Sequence, residues 1–180
     1  VVGDIICDYY ISTLPDRISR EAPVLILEYE KEELVPGGAA NVALNCKTLG
    51  MEVSLLGWLG QDSQGENISK YLTKAGLDVK KIFFPRARTI TKTRILAGGQ
   101  NQLIKQQVLR LDRGQALEAE EERRQLSRQL SASLESILPE LDAVIFSDYG
   151  YGTVQEEIIS AATRYKRKKP LFIAGDSRFR

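Results

Sequence analysis

The chain of 180 residues carries 25 Lys+Arg against 24 Asp+Glu, 43% hydrophobic residues and no histidine. That length supports one domain with a real core, and the near-balance of charge offers neither a basic surface for nucleic acid nor an acidic tail. Without imidazole, Ser-His-Asp and Cys-His nucleophilic sites and histidine metal sites are excluded within the chain.

Acid–base chemistry therefore falls to carboxylates, lysine or tyrosine, and any metal is a hard cation on oxygen, most simply magnesium arriving with phosphates. No apolar run approaches the roughly 20 residues of a membrane helix, and no signal-peptide pattern opens the chain. Cys7 and Cys46 sit in apolar settings and are expected as buried free thiols in a reducing compartment, the cytoplasm. The first residue is Val1, not methionine, and the last follows an apparent strand; a fragment of a longer protein is expected.

In chain order, "VVGDIICDYY" opens with a buried strand over 1–7, and "PVLILEY" (23–29) is a second strand behind a proline. After Pro36-Gly37-Gly38, the apolar positions Val42, Cys46 and Leu49 fall at helical spacing, and Gly50 closes that helix. "EVSLLGWLG" (52–60) is the next strand. Asp62 is placed to cap a helix over 63–75, ended by Gly76. "VKKIFF" is a short strand stopped by Pro85. "TITKTRIL" and "QQVLRLD" read as a hairpin with "AGGQNQ" (97–102) as its turn. A charged helix over 117–138 starts acidic, as its dipole favours. The strand "DAVIFSDYG", a helix over 153–168 and the strand "PLFIAGD" complete the chain.

Alternating strands and helices with continuous apolar strands predict an α/β fold, a parallel sheet covered by helices. Two β-rich segments, 10–34 and 89–112, interrupt the alternation and are expected to form a small second sheet. Ligands in such folds bind beyond the carboxyl ends of the strands. That rule selects Asp4 and Asp8, the Gly37-Gly38 helix start, residues 57–62, Ser147-Asp148-Tyr149 and Asp176-Ser177-Arg178. Neither a Walker A nor a G-x-G-x-x-G sequence is present. "GGAAN" makes either a tight turn alone or a place where a polyol or anion meets bare backbone.

The segments "GDIICDYY", "RISREAPVLILE", "PGGAANVALNCKTLG", "LLGWLGQDSQG" and "VIFSDYGYG" occur in the order seen in ribokinase-type (PfkB) carbohydrate kinases, which the chain resembles over nearly its whole length. "RISREAP", "TITKTRIL" and "LRLD" are similar to one branch, the kinases of D-glycero-D-manno-heptose 7-phosphate, often the first half of a bifunctional ADP-heptose synthesis enzyme. The resemblance implies a three-layer αβα core with a β lid made of the two insertions, so that residues 1–180 are the N-terminal portion of one kinase domain. It implies that Gly37, Gly38 and Asn41 bind sugar hydroxyls, with Asp8 and Asp4 reaching the same substrate. Asn41 offers both a donor and an acceptor for this.

Lys92 and Arg94, two apart on one lid face, are either phosphate ligands, together with Arg17, or solvated strand charges. Asp148 corresponds to a position near the sugar, and Asp176 and Arg178 to the nucleotide side. ATP and Mg2+ are the implied cofactors, a sugar phosphate the substrate, and a homodimer through the lid the assembly. Two departures stand out. Tyr151 occupies a position where heptose kinases usually carry lysine. The family's Gly-Ala-Gly-Asp motif, with its catalytic aspartate, is missing, so the base is expected beyond Arg180. A kinase for a fructose- or ribose-type sugar, or a non-catalytic sugar-binding module of the same fold, are the alternatives.

Overall fold

The structure, a computed structural model, describes residues 1–98 and 105–178. Along the chain, β1 (Val2–Gly3), β2 (Ile5–Ile18) and β3 (Leu25–Gly38) precede α1 (Ala39–Thr48). Next come β4 (Gly57–Trp58), α2 (Ser63–Lys74), β5 (Ile82–Phe83), β6 (Thr91–Ala97) and β7 (Gln106–Arg113). After α3 (Glu120–Ile137) and a 3-10 turn (Leu138–Glu140), β8 (Ala143–Asp148), α4 (Glu156–Lys166) and β9 (Phe172–Ser177) end the described chain.

The core sheet is parallel, with β1 beside β8 and β8 beside β9. A Val2–Leu56 bridge joins β1 to the segment that enters β4, which pairs with β5. Helices cover both faces, because neighbouring residues of a strand point opposite ways. Leu55 and Leu59 pack with Ala40, Ala43, Ile68 and Leu72 of α1 and α2. Leu56 and Trp58 pack on the other face with Leu130 of α3 and Ile158 of α4. Two apolar layers around one sheet make the αβα sandwich that the alternation predicts.

The second sheet has the order β3-β2-β6-β7. It is antiparallel except for the β2–β6 pair. The expected insertions 10–34 and 89–112 both lie in it, but its strands reach further into the core than the sequence suggests. The apolar opening expected as one strand over 1–7 divides at Asp4: β1 joins the core, and β2 leaves for the lid as a 14-residue strand. The second strand, expected over 23–29, runs to Gly38, because Ile5 through Leu14 of β2 pair with it, with one register shift after Ser12. The predicted turn over 97–102 lies, from Gly99 onward, outside the described residues.

Other differences have local causes. In α1 the buried positions are Ala39, Ala40, Ala43 and Cys46, while Leu49 is 76% exposed. Small residues let the helix approach the sheet closely, so size rather than hydrophobicity selects its inner face. The segment 52–60 is strand only at Gly57–Trp58, with single bridges at Ser54 and Leu56. The helix expected from residue 153 starts at Glu156, because the preceding loop is bound elsewhere. The helix expected from residue 117 starts at Glu120, with Leu117 buried in the core. Cys7 and Cys46 are buried free thiols, and burial pushes the Cys7 thiol up to about 11.

Candidate functional site

Gly3, Asp148 and Ser177 end three parallel strands, so they share one edge of the core sheet. The lid meets the core at this edge. Asp4 stands at the junction, 1% exposed, with its backbone N–H donating to Ser147 O at 3.0 Å. Its carboxylate accepts the backbone N–H groups of Tyr149 (2.8 Å), Tyr151 (3.0 Å) and Thr153 (3.1 Å). Gly150 and Gly152, at φ 82° and 89°, let alternate N–H groups of the loop converge on one carboxylate. Backbone of this kind forms a concave nest for an anion, and here the protein's own side chain fills it. Asp4, expected at the substrate, instead fastens the loop after β8.

Asp148 has a similar tying role. It accepts Gly150 N–H at 3.0 Å and the Ser177 hydroxyl at 2.9 Å, linking the ends of β8 and β9. Beyond it, Asp176 and Arg178 are exposed at the carboxyl end of β9, and Arg178 N–H donates to Asp148 O at 3.1 Å.

Four residues beyond Asp4, β2 carries Asp8 opposite Lys92 of β6, and Lys92 lies opposite Asp112 of β7. Arg94 Nη1 meets Asp8 Oδ1 at 2.5 Å, with each side chain 22% exposed. The same guanidinium reaches Lys92 O at 3.3 Å and lies 5.3 Å from the centre of the Tyr10 ring. Desolvation alone would lower the Arg94 pKa; the bond and charge of Asp8 outweigh it and the value rises. Lys92 behaves in the opposite way: burial holds its ammonium below the ordinary lysine value despite the nearby Asp8 charge. Its Nζ lies 5.2 Å from the Tyr149 ring centre and 5.8 Å from that of Tyr151.

The glycine pair belongs to the same corner. A methyl group on Gly37 would stand 2.1 Å from Asp8 Oδ2, so glycine is what leaves room for that carboxylate. Gly38, at φ +58°, turns the chain from β3 into α1, and a methyl there would meet Asp4 O at 2.2 Å. The tight-turn reading is thereby satisfied by protein contacts alone. The bare backbone of Gly37 also keeps Asp8 uncovered. Asn41 lies in the first turn of α1, exposed, with its carbonyl 3.4 Å from Asn45 Nδ2.

The structure thus brings together Asp8, Gly37, Lys92 and Arg94, with Asp4 and Asp148 behind them. Arg17 is not with them. It lies nine residues beyond Asp8 along β2, at most roughly 30 Å away at about 3.3 Å per residue. There it is exposed and paired with Asp16.

Tyr149 and Tyr151, singled out in the sequence for other reasons, flank Lys92, and Thr89, which the sequence reading missed, fixes the start of β6. Thr89 N–H donates to Asp62 Oδ2 at 2.9 Å and its hydroxyl to Oδ1 at 2.6 Å, while Asp62 also caps α2 through Gly65 N–H at 2.9 Å. Burial would raise the Asp62 pKa, but these bonds bring it below the ordinary value. The only signal for Thr89 is a buried-strand threonine with no stated partner. A groove of about 530 Å3 between α3 and α4, lined by Arg128, Glu135 and Arg164, stands apart from the corner.

Among the described residues, no three or more carboxylates or cysteines gather as metal ligands. A magnesium ion carried by phosphates takes only one or two protein carboxylates, and Asp176 at the exposed end of β9 is such a group.

The sequence profile of the pfkB family carbohydrate kinases matches residues 1–168. The bifunctional protein HldE of Azorhizobium caulinodans is 37% identical over 166 residues, covering 90% of this chain and 32% of that protein. HldE of Vibrio cholerae is 38% identical, covering 86% of this chain and 30% of its own length. Among solved structures, a carbohydrate kinase from Agrobacterium tumefaciens aligns with a TM-score of 0.61 at 21% identity, covering 95% of this chain and 51% of that one. Escherichia coli phosphofructokinase-2 in complex with fructose-6-phosphate aligns at 0.59 and 19%, covering 97% and 53%. The chain therefore spans about a third of the curated relatives and about half of the solved kinases, sharing the ribokinase-like fold. It belongs to the pfkB family of carbohydrate kinases.

Proposed function

We propose that the protein is an ATP-dependent carbohydrate kinase acting on a sugar phosphate, D-glycero-D-manno-heptose 7-phosphate, at its anomeric hydroxyl. The observation that carries this reading is the corner where Arg94 holds the Asp8 carboxylate beside Lys92, against the bare backbone of Gly37. A carboxylate fixed in this way accepts sugar hydroxyls. Asn41 donates and accepts at the adjoining helix start, and Lys92 supplies positive charge for the substrate's phosphate. The similarity to HldE and the segments "RISREAP" and "TITKTRIL" favour the heptose over other sugars.

The coverage of the relatives supports a division of labour within one kinase domain. Residues 1–180 hold the sugar, with Asp176 and Arg178 toward the nucleotide. The base aspartate and the rest of the ATP site are assigned to the part of the relatives' length that this chain does not cover. When bound, ATP would supply the phosphoryl group, and magnesium arriving with its phosphates would neutralise charge there. This chain's residues orient the acceptor hydroxyl and hold the far end of the substrate, which is how positioning lowers the barrier.

The lid supports a homodimer. Leu25, Tyr29, Leu109 and Leu111 are at least half exposed on it, and apolar area of that kind favours a partner surface. Light scattering of the full-length protein is expected to give a dimer; monomer at working concentration would remove this assembly.

A panel of sugars offered with ATP to the full-length protein tests the main reading. Turnover of heptose 7-phosphate well above that of unphosphorylated sugars is expected. Turnover of neutral sugars alone would overturn it.

A further inference from the structure

The two cations of the corner are held differently. Arg94 is engaged by Asp8, whereas Lys92 has no carboxylate within ion-pair distance among the described residues. Two tyrosine rings flank Lys92 instead, and a ring face attracts an ammonium through its quadrupole. It does so without filling the three N–H donors as oxygens would. Lys92 is therefore placed but left with donor capacity. Asp8 and Asp112 stand on the attractive side of its field, Arg94 and Arg110 on the repulsive side, and burial adds to the cost of its charge. An incoming phosphate relieves that cost.

The rings are themselves fixed. Tyr149 and Tyr151 stand on the loop whose N–H groups converge on the buried Asp4 carboxylate. A chain of contacts runs from Asp4 through the loop backbone to the rings and on to Lys92.

We infer that Tyr149 and Tyr151 are positioning residues that hold the Lys92 ammonium as the seat for the phosphate of a phosphorylated sugar, with Asp4 fixing the loop that carries them. This deepens the proposed function and rests on it. It also gives the tyrosine at position 151 a purpose: it places a cation carried by the lid instead of supplying one from the loop.

Isothermal titration of the full-length protein tests the inference, with heptose 7-phosphate and the unphosphorylated heptose as probes. The readout is the ratio of the two affinities, which a general structural role would not move. Lys92→Met is expected to lower the preference for the phosphorylated sugar at least about 10-fold. Tyr149→Leu with Tyr151→Leu lowers it about 3- to 30-fold, the range of a cation–π contact converted to affinity. Tyr151→Phe keeps the ring face and stays within about 2-fold of the wild-type preference. Tyr151→Leu alone gives the same direction should the double variant fail to fold. A leucine variant that retains the wild-type preference, or that weakens both sugars equally, overturns the positioning role and leaves the sugar-phosphate reading standing. A wild-type protein with no preference for the phosphorylated sugar overturns that reading, and the inference with it.

Discussion

The lid strand β2 starts inside the core's apolar layers, yet core and lid are built on opposite terms. Ile5 and Cys7 of β2 are 2% and 0% exposed, inside an apolar layer closed by α1 and α2. Farther along the same strand Ile18 is 69% exposed, and every residue of β7 is exposed. The core is held by two-sided burial. The lid is held by its hydrogen-bond ladder and by its attachment to the core. Asp8, Lys92 and Arg94 sit where one regime passes into the other. A site there is rigid on the core side and open on the lid side, which suits a pocket that must hold a polyol and release it.

The comparison breaks most visibly under truncation of apolar side chains. Leu130→Ala, at a position with no exposure, is expected to destabilise the protein by about 2–5 kcal/mol. Ile18→Ala, at the 69% exposed far end of β2 and outside the proposed dimer surface, is expected to stay within about 0.5 kcal/mol. Urea unfolding of both variants measures the contrast, and equal losses would deny that the two regions differ.

At the boundary, Gly37→Ala forces a methyl against the Asp8 carboxylate. Such overpacking costs about 1–3 kcal/mol, and the displaced carboxylate is expected to weaken sugar affinity as well. Calorimetry and titration on one sample test this; a variant with unchanged affinity would free Asp8 from its assigned place.

The mildest effect lies at the core end of β2. Cys7 has a folded pKa of about 11 against an ordinary 9.0, so the folded state keeps its proton longer than the unfolded chain does. Its contribution is complete below about pH 9 and is lost as pH rises through about 11. Between pH 8 and 10, wild type is expected to lose roughly 1 kcal/mol more stability than Cys7→Ala. Parallel pH dependence in the two proteins would contradict this.

Much of the core is legible in the sequence because its rules are local: apolar runs, a capping Asp62 and closing glycines at 50 and 76 fall where the structure has them. The inner face of α1 is not, since three alanines bury better there than Val42 or Leu49, and hydrophobicity alone ranks them the other way. Nor is the extent of β3, where the charged run "EKEE" lies on an exposed strand whose pairing with β2 outweighs its composition. In the candidate site, the strand-end rule singles out Asp4, Asp8 and Asp148, and hairpin alternation puts Lys92 and Arg94 on one face. What the rule misses is partnership. Asp4 binds a loop 145 positions away, and Arg94 meets Asp8 across 86. No local pattern carries such pairings.

The central claim is that the Asp8 carboxylate, held by Arg94 at the lid–core boundary, binds the sugar. Titration of heptose 7-phosphate into full-length wild-type and Asp8→Asn protein tests it most directly, because the change keeps the side chain's shape and removes its charge. A loss of at least about 10-fold in affinity, with both proteins folded by circular dichroism, is the predicted result. Equal affinity in the two proteins would contradict it.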